Sequence, residues 1–154
     1  MTKEEFVALA QPCQSALYRV AAAYLRGAED RADAAQSALL KAWMKRDTLR
    51  DVQFFKTWLT RILIRECVNL QRRHAPGVPI EDVELPAPPA RDMALRDAID
   101  RLKENLKIPV ILYYLEGYSL QEVSQALRLP QGTIKSRLSR ARDELRNALK
   151  EEIE

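Results

Sequence analysis

The chain is poor in the residues from which metal centres, disulfide frameworks and sheets are built. Its 154 residues include one histidine, His74, and two cysteines, Cys13 and Cys67, with no CxxC spacing. A lone imidazole leaves no zinc set, and two thiols in separate predicted helices are read as free and buried or half-buried. No metal and no disulfide are expected. Four glycines and few β-branched runs argue against a turn-rich β protein and for an all-α fold. No stretch approaches the roughly 20 apolar residues that span a bilayer, so no membrane insertion is expected. There is no Gly-rich phosphate loop and no carboxylate pair in a cleft motif, so the chain is expected to be no enzyme and to need no cofactor. The opening MTKEEFVALAQP is acidic and amphipathic, unlike a secretory leader, and a cytoplasmic location follows as the expectation.

What is present is charge, unevenly placed. Apolar residues make up 47% and charged residues 31% of the chain, with a net charge of +3. Residues 1–75 carry 13 basic and 8 acidic side chains, residues 76–90 none and 3, and residues 91–154 carry 12 and 11. In the last segment the cations concentrate between Arg128 and Arg146. A modest total with local basic stripes suits a protein that touches phosphates on chosen faces. The stretch HAPGVPIEDVELPAPPA (74–90) holds five of the eight prolines. It cannot continue a helix, and its prolines favour an extended, semi-rigid tether. Two small helical domains, 1–75 and 91–154, joined by a linker at 76–90, are therefore expected.

Apolar spacing predicts the helices. The first runs from about Lys3 to Leu25, with Phe6, Leu9, Cys13, Leu17, Val20 and Tyr24 inward and Pro12 kinking or interrupting it. The second spans roughly Glu29–Lys45, with Ala35, Leu39, Ala42 and Trp43 inward. RDTLRDVQ (46–53) reads as a loop. A third helix, Phe54–Arg73, repeats Phe55, Trp58, Leu59, Ile62, Leu63 and Leu70, and turns Lys56, Arg61, Arg65, Arg72 and Arg73 outward. Beyond the linker come helices at about Asp92–Asn105, with Met93, Leu95, Ile99 and Leu102 apolar, and Ile108–Glu116. The latter is apolar nearly all round and should be the buried centre of its domain.

The densest information lies in GYSLQEVSQALRLPQGTIKSRLSRARDELRNAL (117–149). Ser119 with Glu122 forms a capping box that starts a short helix. Val123, Ala126 and Leu127 mark its buried side. Pro130 suits the first position of a new helix, and Gly132 allows a close backbone approach at the corner. Ile134, Leu138, Ala141, Leu145 and Ala148 then line one face of a long second helix. Helix, short turn, helix is the helix-turn-helix pattern. Lys135, Ser136, Ser139, Arg140 and Arg146 point away from the apolar stripe, with Arg137 and Arg142 on its borders. Hydroxyls interleaved with cations suit a helix in a DNA major groove, where Arg or Lys reads guanine and Ser tolerates several bases.

Two separated blocks carry a family resemblance. EGYSLQEVSQALRLPQGTIKSRLSRARDEL resembles the fourth conserved region of bacterial RNA polymerase sigma factors of the extracytoplasmic-function (ECF) group, with GTIKSRLSRAR its most specific piece. DRADAAQSALLKAW followed by LRDVQFFKTWLTRILIRECVNLQRR resembles the second conserved region. The resemblance implies a promoter-specificity subunit whose partners are core RNA polymerase and promoter DNA, duplex at the −35 element and single-stranded at the −10 element. It places Asp33, Gln36, Leu40, Lys41 and Trp43 on the helix that docks on the polymerase clamp, although Leu40 and Trp43 serve equally well as core. Leu49, Arg50, Asp51, Gln53 and Phe54 match the loop that captures an unpaired −10 base. Lys56, Trp58, Arg61, Arg65, Asn69, Arg72 and Arg73 lie on the helix facing the separated strands, with packing the alternative for Trp58. Lys135, Ser136, Ser139 and Arg140 match positions facing the −35 element, and Thr133, Arg137 and Tyr113 are expected to contact phosphates or to pack. The chain departs from the family pattern at Ala32, Ser37, Leu49, Asp51 and Arg65. With no sensor region left over, control by a separate anti-sigma factor is implied.

The rival function is a stand-alone helix-turn-helix regulator with an N-terminal dimerisation or sensor module. It leaves the second basic helix, Phe54–Arg73, without a use. A stable dimer that binds palindromic duplex and ignores polymerase would favour it.

Overall fold

A computed structural model describes the backbone at residues 1–73 and 90–153 and the side chains at 1–73 and 94–150. The expected linker, 76–90, lies outside the described residues except for its last position. The chain divides into two compact units, Met1–Val83 and Glu84–Glu154, and among the described residues every regular element is helical.

In the N-terminal unit, α1 (Lys3–Ala10) starts on a capping box in which Thr2 Oγ1 accepts from Glu5 N at 3.2 Å and Glu5 Oε2 accepts from Thr2 N at 3.1 Å. Pro12 interrupts the first helix as its sequence suggests: a 3₁₀ turn, Gln11–Cys13, separates α1 from α2 (Gln14–Tyr24). Helix α3 (Ala28–Met44) and α4 (Phe55–Arg73) complete the bundle. Its core is Leu17, Val20, Ala21, Leu59, Leu63 and Cys67, all essentially inaccessible to water. Each such leucine or valine contributes about 1.5–3 kcal/mol relative to exposure.

Helix α3 buries a stripe that meets the one its hydrophobicity indicates at Ala42 and departs from it elsewhere. Ala34, Ala38 and Ala42 are fully buried and Arg31 nearly so, whereas Ala35 and Leu39 are only half-buried. Alanines at steps of four let two helix backbones approach closely, and α3 packs this face most extensively against α4. The last carbonyls of α2, which have no intrahelical donor, are satisfied from both neighbours. Arg31 Nε donates to Leu25 O at 2.7 Å and Gln71 Nε2 to Tyr24 O at 2.9 Å. One helix end is thereby tied to α3 and α4 together.

In the C-terminal unit, α5 (Ala90–Arg101) leads to α6 (Glu104–Val110), which contains Pro109. Pro109 has no N–H to donate one turn back. Just beyond it the chain widens into a π-helical turn, Ile111–Leu115, closed by Glu116 N donating to Ile111 O at 2.9 Å. The expected helix Ile108–Glu116 is thus two elements, and it is not buried all round. Ile108, Pro109, Val110, Ile111 and Leu112 point in, while Tyr114 and Leu115 are 47% and 56% exposed. Leu95 on α5 is also exposed. Met93, with no described side chain, lies outside this comparison. Then come α7 (Leu120–Leu127) and α8 (Gln131–Ile153). Ile134, Leu138 and Ala141 of α8 are buried, with Leu145 and Ala148 half-buried.

Candidate nucleic-acid interface

The helix-turn-helix forms from local chemistry. Ser119 Oγ accepts from Glu122 N at 3.1 Å, and Glu122 Oε1 accepts from Ser119 N at 3.0 Å, so α7 starts where the capping box puts it. Arg128 ends it in the left-handed region, φ 56° and ψ 45°. Leu129 N donates to Ser124 O at 3.1 Å, and the Ser124 hydroxyl donates to Leu129 O, closing the corner. Pro130 stands just before α8, its carbonyl accepting from Ile134 N. Gly132 has open space around its Cβ position, so no close backbone approach depends on it. The corner is turned by Arg128 instead.

From that corner α8 presents a polar face. Lys135, Ser136, Ser139 and Arg140 are exposed, and Thr133 and Arg137 are half-buried at its edges. No acid among the described residues pairs with Lys135, Arg137 or Arg140. Asp143 and Glu144 occupy the outward side further along. The cationic part of the face is therefore confined to the first turns, the part that a recognition helix inserts into the groove. Tyr113 is half-buried and stacks edge-on against Tyr114 at 5.0 Å.

In the N-terminal unit the expected −10 residues separate into three settings. The segment 46–53, read as a loop, contains two 3₁₀ turns, Arg46–Thr48 and Val52–Phe54, the second started by Asp51 Oδ1 accepting from Gln53 N at 3.0 Å. Arg50, Asp51, Gln53 and Phe54 are exposed and Leu49 is half-buried. Val52 and Phe54 leave two apolar side chains in water at the foot of α4, 55% and 46% exposed. On α4 itself, Arg61, Arg65 and Arg72 share the outward stripe at helical spacing. Arg65 and Arg72 are exposed, and Arg61 is half-buried with an interaction of its own. Lys56 is turned the other way, half-buried, where its charge acts on Cys13. Burial pushes the Cys13 thiol above its ordinary 9.0, and Lys56 pulls it partly back.

The two tryptophans belong to an aromatic chain. Trp43 meets Phe6 at 5.3 Å, Phe6 meets Phe55 at 5.6 Å, and Phe55 meets Trp58 at 5.8 Å. Arg46 stacks over Trp43 at 3.8 Å. Both indoles are half-buried, Trp43 against Phe6 with Arg46 over its ring and Trp58 against Phe55.

The third setting is a cleft of about 390 Å³ between α3 and α4. It brings Asp33, Gln36 and Lys41, from the expected polymerase face, beside Asn69 and Arg73, from the expected DNA face. Across it the Lys41 ammonium donates to Glu66 Oε1. Glu66 is nearly buried and was absent from the sequence-derived set. Only its acidic identity amid the apolar spacing of α4 signalled it. Leu40 and Met44, 61% and 71% exposed, continue the α3 face as an apolar strip, so Leu40 is no core residue.

Family models match both units: "Sigma-70 region 2" over residues 9–76 and "Sigma-70, region 4" over 92–145. An ECF RNA polymerase sigma factor of Mycobacterium tuberculosis, SigM, is 32% identical over 139 residues, covering 86% of this chain and 71% of that one. The chain belongs to the ECF sigma factors. It is accordingly a promoter-directing subunit of RNA polymerase. An Escherichia coli relative, the ECF sigma-E factor, is 28% identical over 137 residues, covering 75% of this chain and 71% of its own. Among solved structures, the sigma factor RpoE from Bartonella quintana, in complex with the anti-sigma factor NepR, superposes with a TM-score of 0.83. It is 28% identical, over 96% of this sigma factor and 98% of that chain. No described helix is long and apolar enough to cross a membrane.

Proposed function

We propose that the two units divide promoter recognition between them. Helix α8 reads duplex DNA at the −35 element with Lys135, Ser136, Ser139 and Arg140 toward the bases and Thr133 and Arg137 toward phosphates. The segment Leu49–Phe54 and the outward stripe of α4 hold the −10 element once its strands separate. Exposed Val52 and Phe54 beside cations supply what a single strand offers contacts for, unstacked bases and phosphates. Trp58, Asn69, Arg72 and Arg73 extend that surface, with Lys56 contributing charge from its inner edge. The face of α3 that carries Asp33, Gln36, Leu40, Lys41 and Trp43 meets the polymerase clamp. An exposed apolar strip flanked by polar side chains is the composition of a protein-binding surface.

The observation that carries this proposal is the presence of two cationic helical faces in one chain, each beside a different kind of contact surface. The first is serine-rich and regular on α8; the second is aromatic and irregular at the foot of α4. Phosphodiester chemistry stays with polymerase, and the chain acts as a non-enzymatic subunit in the cytoplasm. Two solved structures of this fold are complexes, RpoE with the anti-sigma factor NepR and CnrH with the cytosolic domain of CnrY. By extension from the first, a cognate anti-sigma factor covers one of these faces here.

Replacing Arg61 and Arg65 together with alanine tests the −10 assignment. Polymerase binding and closed-complex formation should persist, while permanganate reactivity of thymines around the −10 element falls. Opening at the wild-type rate would remove α4 from strand separation.

A further inference from the structure

The exposed cations of α8 are not all on its groove-facing side. Lys135, Ser139, Arg142 and Arg146 follow one another at steps of four, three and four, which places them along one flank of the helix. All four are exposed. Lys135 to Arg146 covers roughly 16 Å at 1.5 Å per residue, and the acid that borders the stripe is Asp143, four residues after Ser139 and three before Arg146. The opposite flank differs: Arg137 is followed there by Glu144, which repels phosphate beyond the first turns.

One member of the basic flank is held in place. Arg142 Nη1 donates to Tyr114 Oη at 3.0 Å, bridging 28 positions of sequence. Tyr114 reaches it because the π-helical turn after Pro109 directs this side chain out of the core, where Tyr113 supports the ring edge-on. The partner is a neutral phenol, so the guanidinium keeps its full charge and its remaining N–H groups. A carboxylate in that place would have cancelled the charge. The bond costs Arg142 side-chain freedom before any ligand arrives, and so lowers what binding must still order.

We infer that Arg142, positioned by Tyr114, contacts a phosphate on one wall of the groove that α8 enters. This rests on the proposal that α8 docks on the −35 duplex, and adds to it a residue pair outside the base-reading set. Phosphate contacts fix the register of a recognition helix on the duplex without reading sequence. Tyr114 is then a positioning residue, acting through Arg142.

The test uses the full chain assembled with core polymerase, binding a promoter fragment that carries the −35 element, at several salt concentrations. Arg142→Ala should weaken binding alike on matched and mismatched −35 sequences and reduce the salt slope by about 0.9. Between roughly 50 and 200 mM salt, its affinity should therefore fall about threefold less than that of wild type. Tyr114→Phe, which removes only the hydroxyl, should weaken binding while leaving the slope unchanged, and should add nothing to Arg142→Ala. Arg140→Ala serves as the contrast, with altered base preference at the −35 element. Unchanged affinity and slope in Arg142→Ala, with base preference lost in Arg140→Ala, would overturn the inference and leave the docking of α8 standing. If both variants bind as wild type, α8 does not touch the duplex and both proposals fall. Additive effects of Tyr114→Phe and Arg142→Ala would overturn the positioning role of Tyr114.

Discussion

The Lys41–Glu66 pair separates two explanations for the sensitivity expected at Lys41. Glu66 has a side chain 12% exposed, whereas that of Lys41 is 47% exposed. Exposed pairs contribute up to about 1 kcal/mol, and removing one partner of a fully buried pair costs about 3–5 kcal/mol. With one end in water, this pair lies between. Glu66→Gln, which keeps the shape and an acceptor oxygen, should cost about 1 kcal/mol. Lys41→Met should cost about 2 kcal/mol, because it strands the more deeply buried carboxylate. In a domain of this size each kcal/mol lowers the melting temperature by about 4–8 °C. Thermal and urea denaturation of both single variants and the double variant give the coupling, expected at about 0.5–1.5 kcal/mol. Additive effects would show that the pair does not tie α3 to α4. Binding to core polymerase then decides the function. If Lys41 acts by holding α3 on α4, Glu66→Gln should weaken polymerase binding along with Lys41→Met. Loss only in Lys41→Met would mean that its ammonium contacts polymerase directly.

Arg128 carries a left-handed backbone at the helix-turn-helix corner. Arg128→Gly should therefore stabilise the protein by about 0.5–1 kcal/mol, the left-handed penalty of about 1–2 kcal/mol less glycine's extra unfolded-state entropy; equal or lower stability by urea denaturation would refute this. Leu63→Ala, at a fully buried site, should cost about 2–5 kcal/mol, and a loss under 1 kcal/mol would show that the core collapses around the gap. Burial raises the Cys13 thiol above 9.0, so the folded state keeps its proton longer than the unfolded chain. Its contribution to stability is complete below the unfolded value and is lost as pH rises through the folded one. Urea denaturation at rising alkaline pH should then show wild type losing more stability than Cys13→Ala, and parallel losses would refute it.

Much of the fold is legible wherever one residue decides a local event. Pro12 breaks the first helix, and Ser119 with Glu122 starts α7, because a missing donor and a reciprocal cap act within one turn. The apolar stripe of α8 is equally plain, since Ile134, Leu138 and Ala141 face a single side. Legibility fails where the deciding partner is distant. Beside Ala42, which the spacing places inward, helix α3 buries Ala34 and Ala38, which carry little hydrophobic signal, because α4 comes close. Ala35 and Leu39 give the stronger pattern and lie beside the contact. Tyr114 and Leu115 read as core in an unbroken apolar run, yet the π-helical turn after Pro109 rotates them outward. At the candidate interface the exposed set on α8 follows from periodicity alone. Glu66 does not, because only the folded bundle places it opposite Lys41. Gly132 suggested a close approach that is not made, while Arg128 takes the left-handed position where glycine is commoner.

Run-off transcription with purified core RNA polymerase on a library of promoter fragments tests the central claim most directly. Core polymerase alone should give no discrete starts. Adding this chain should give defined starts sharing sequence elements near −35 and −10, with Arg140→Ala shifting the preferred −35 bases. The absence of chain-dependent starts, together with a stable dimer that binds duplex DNA without polymerase, would contradict it.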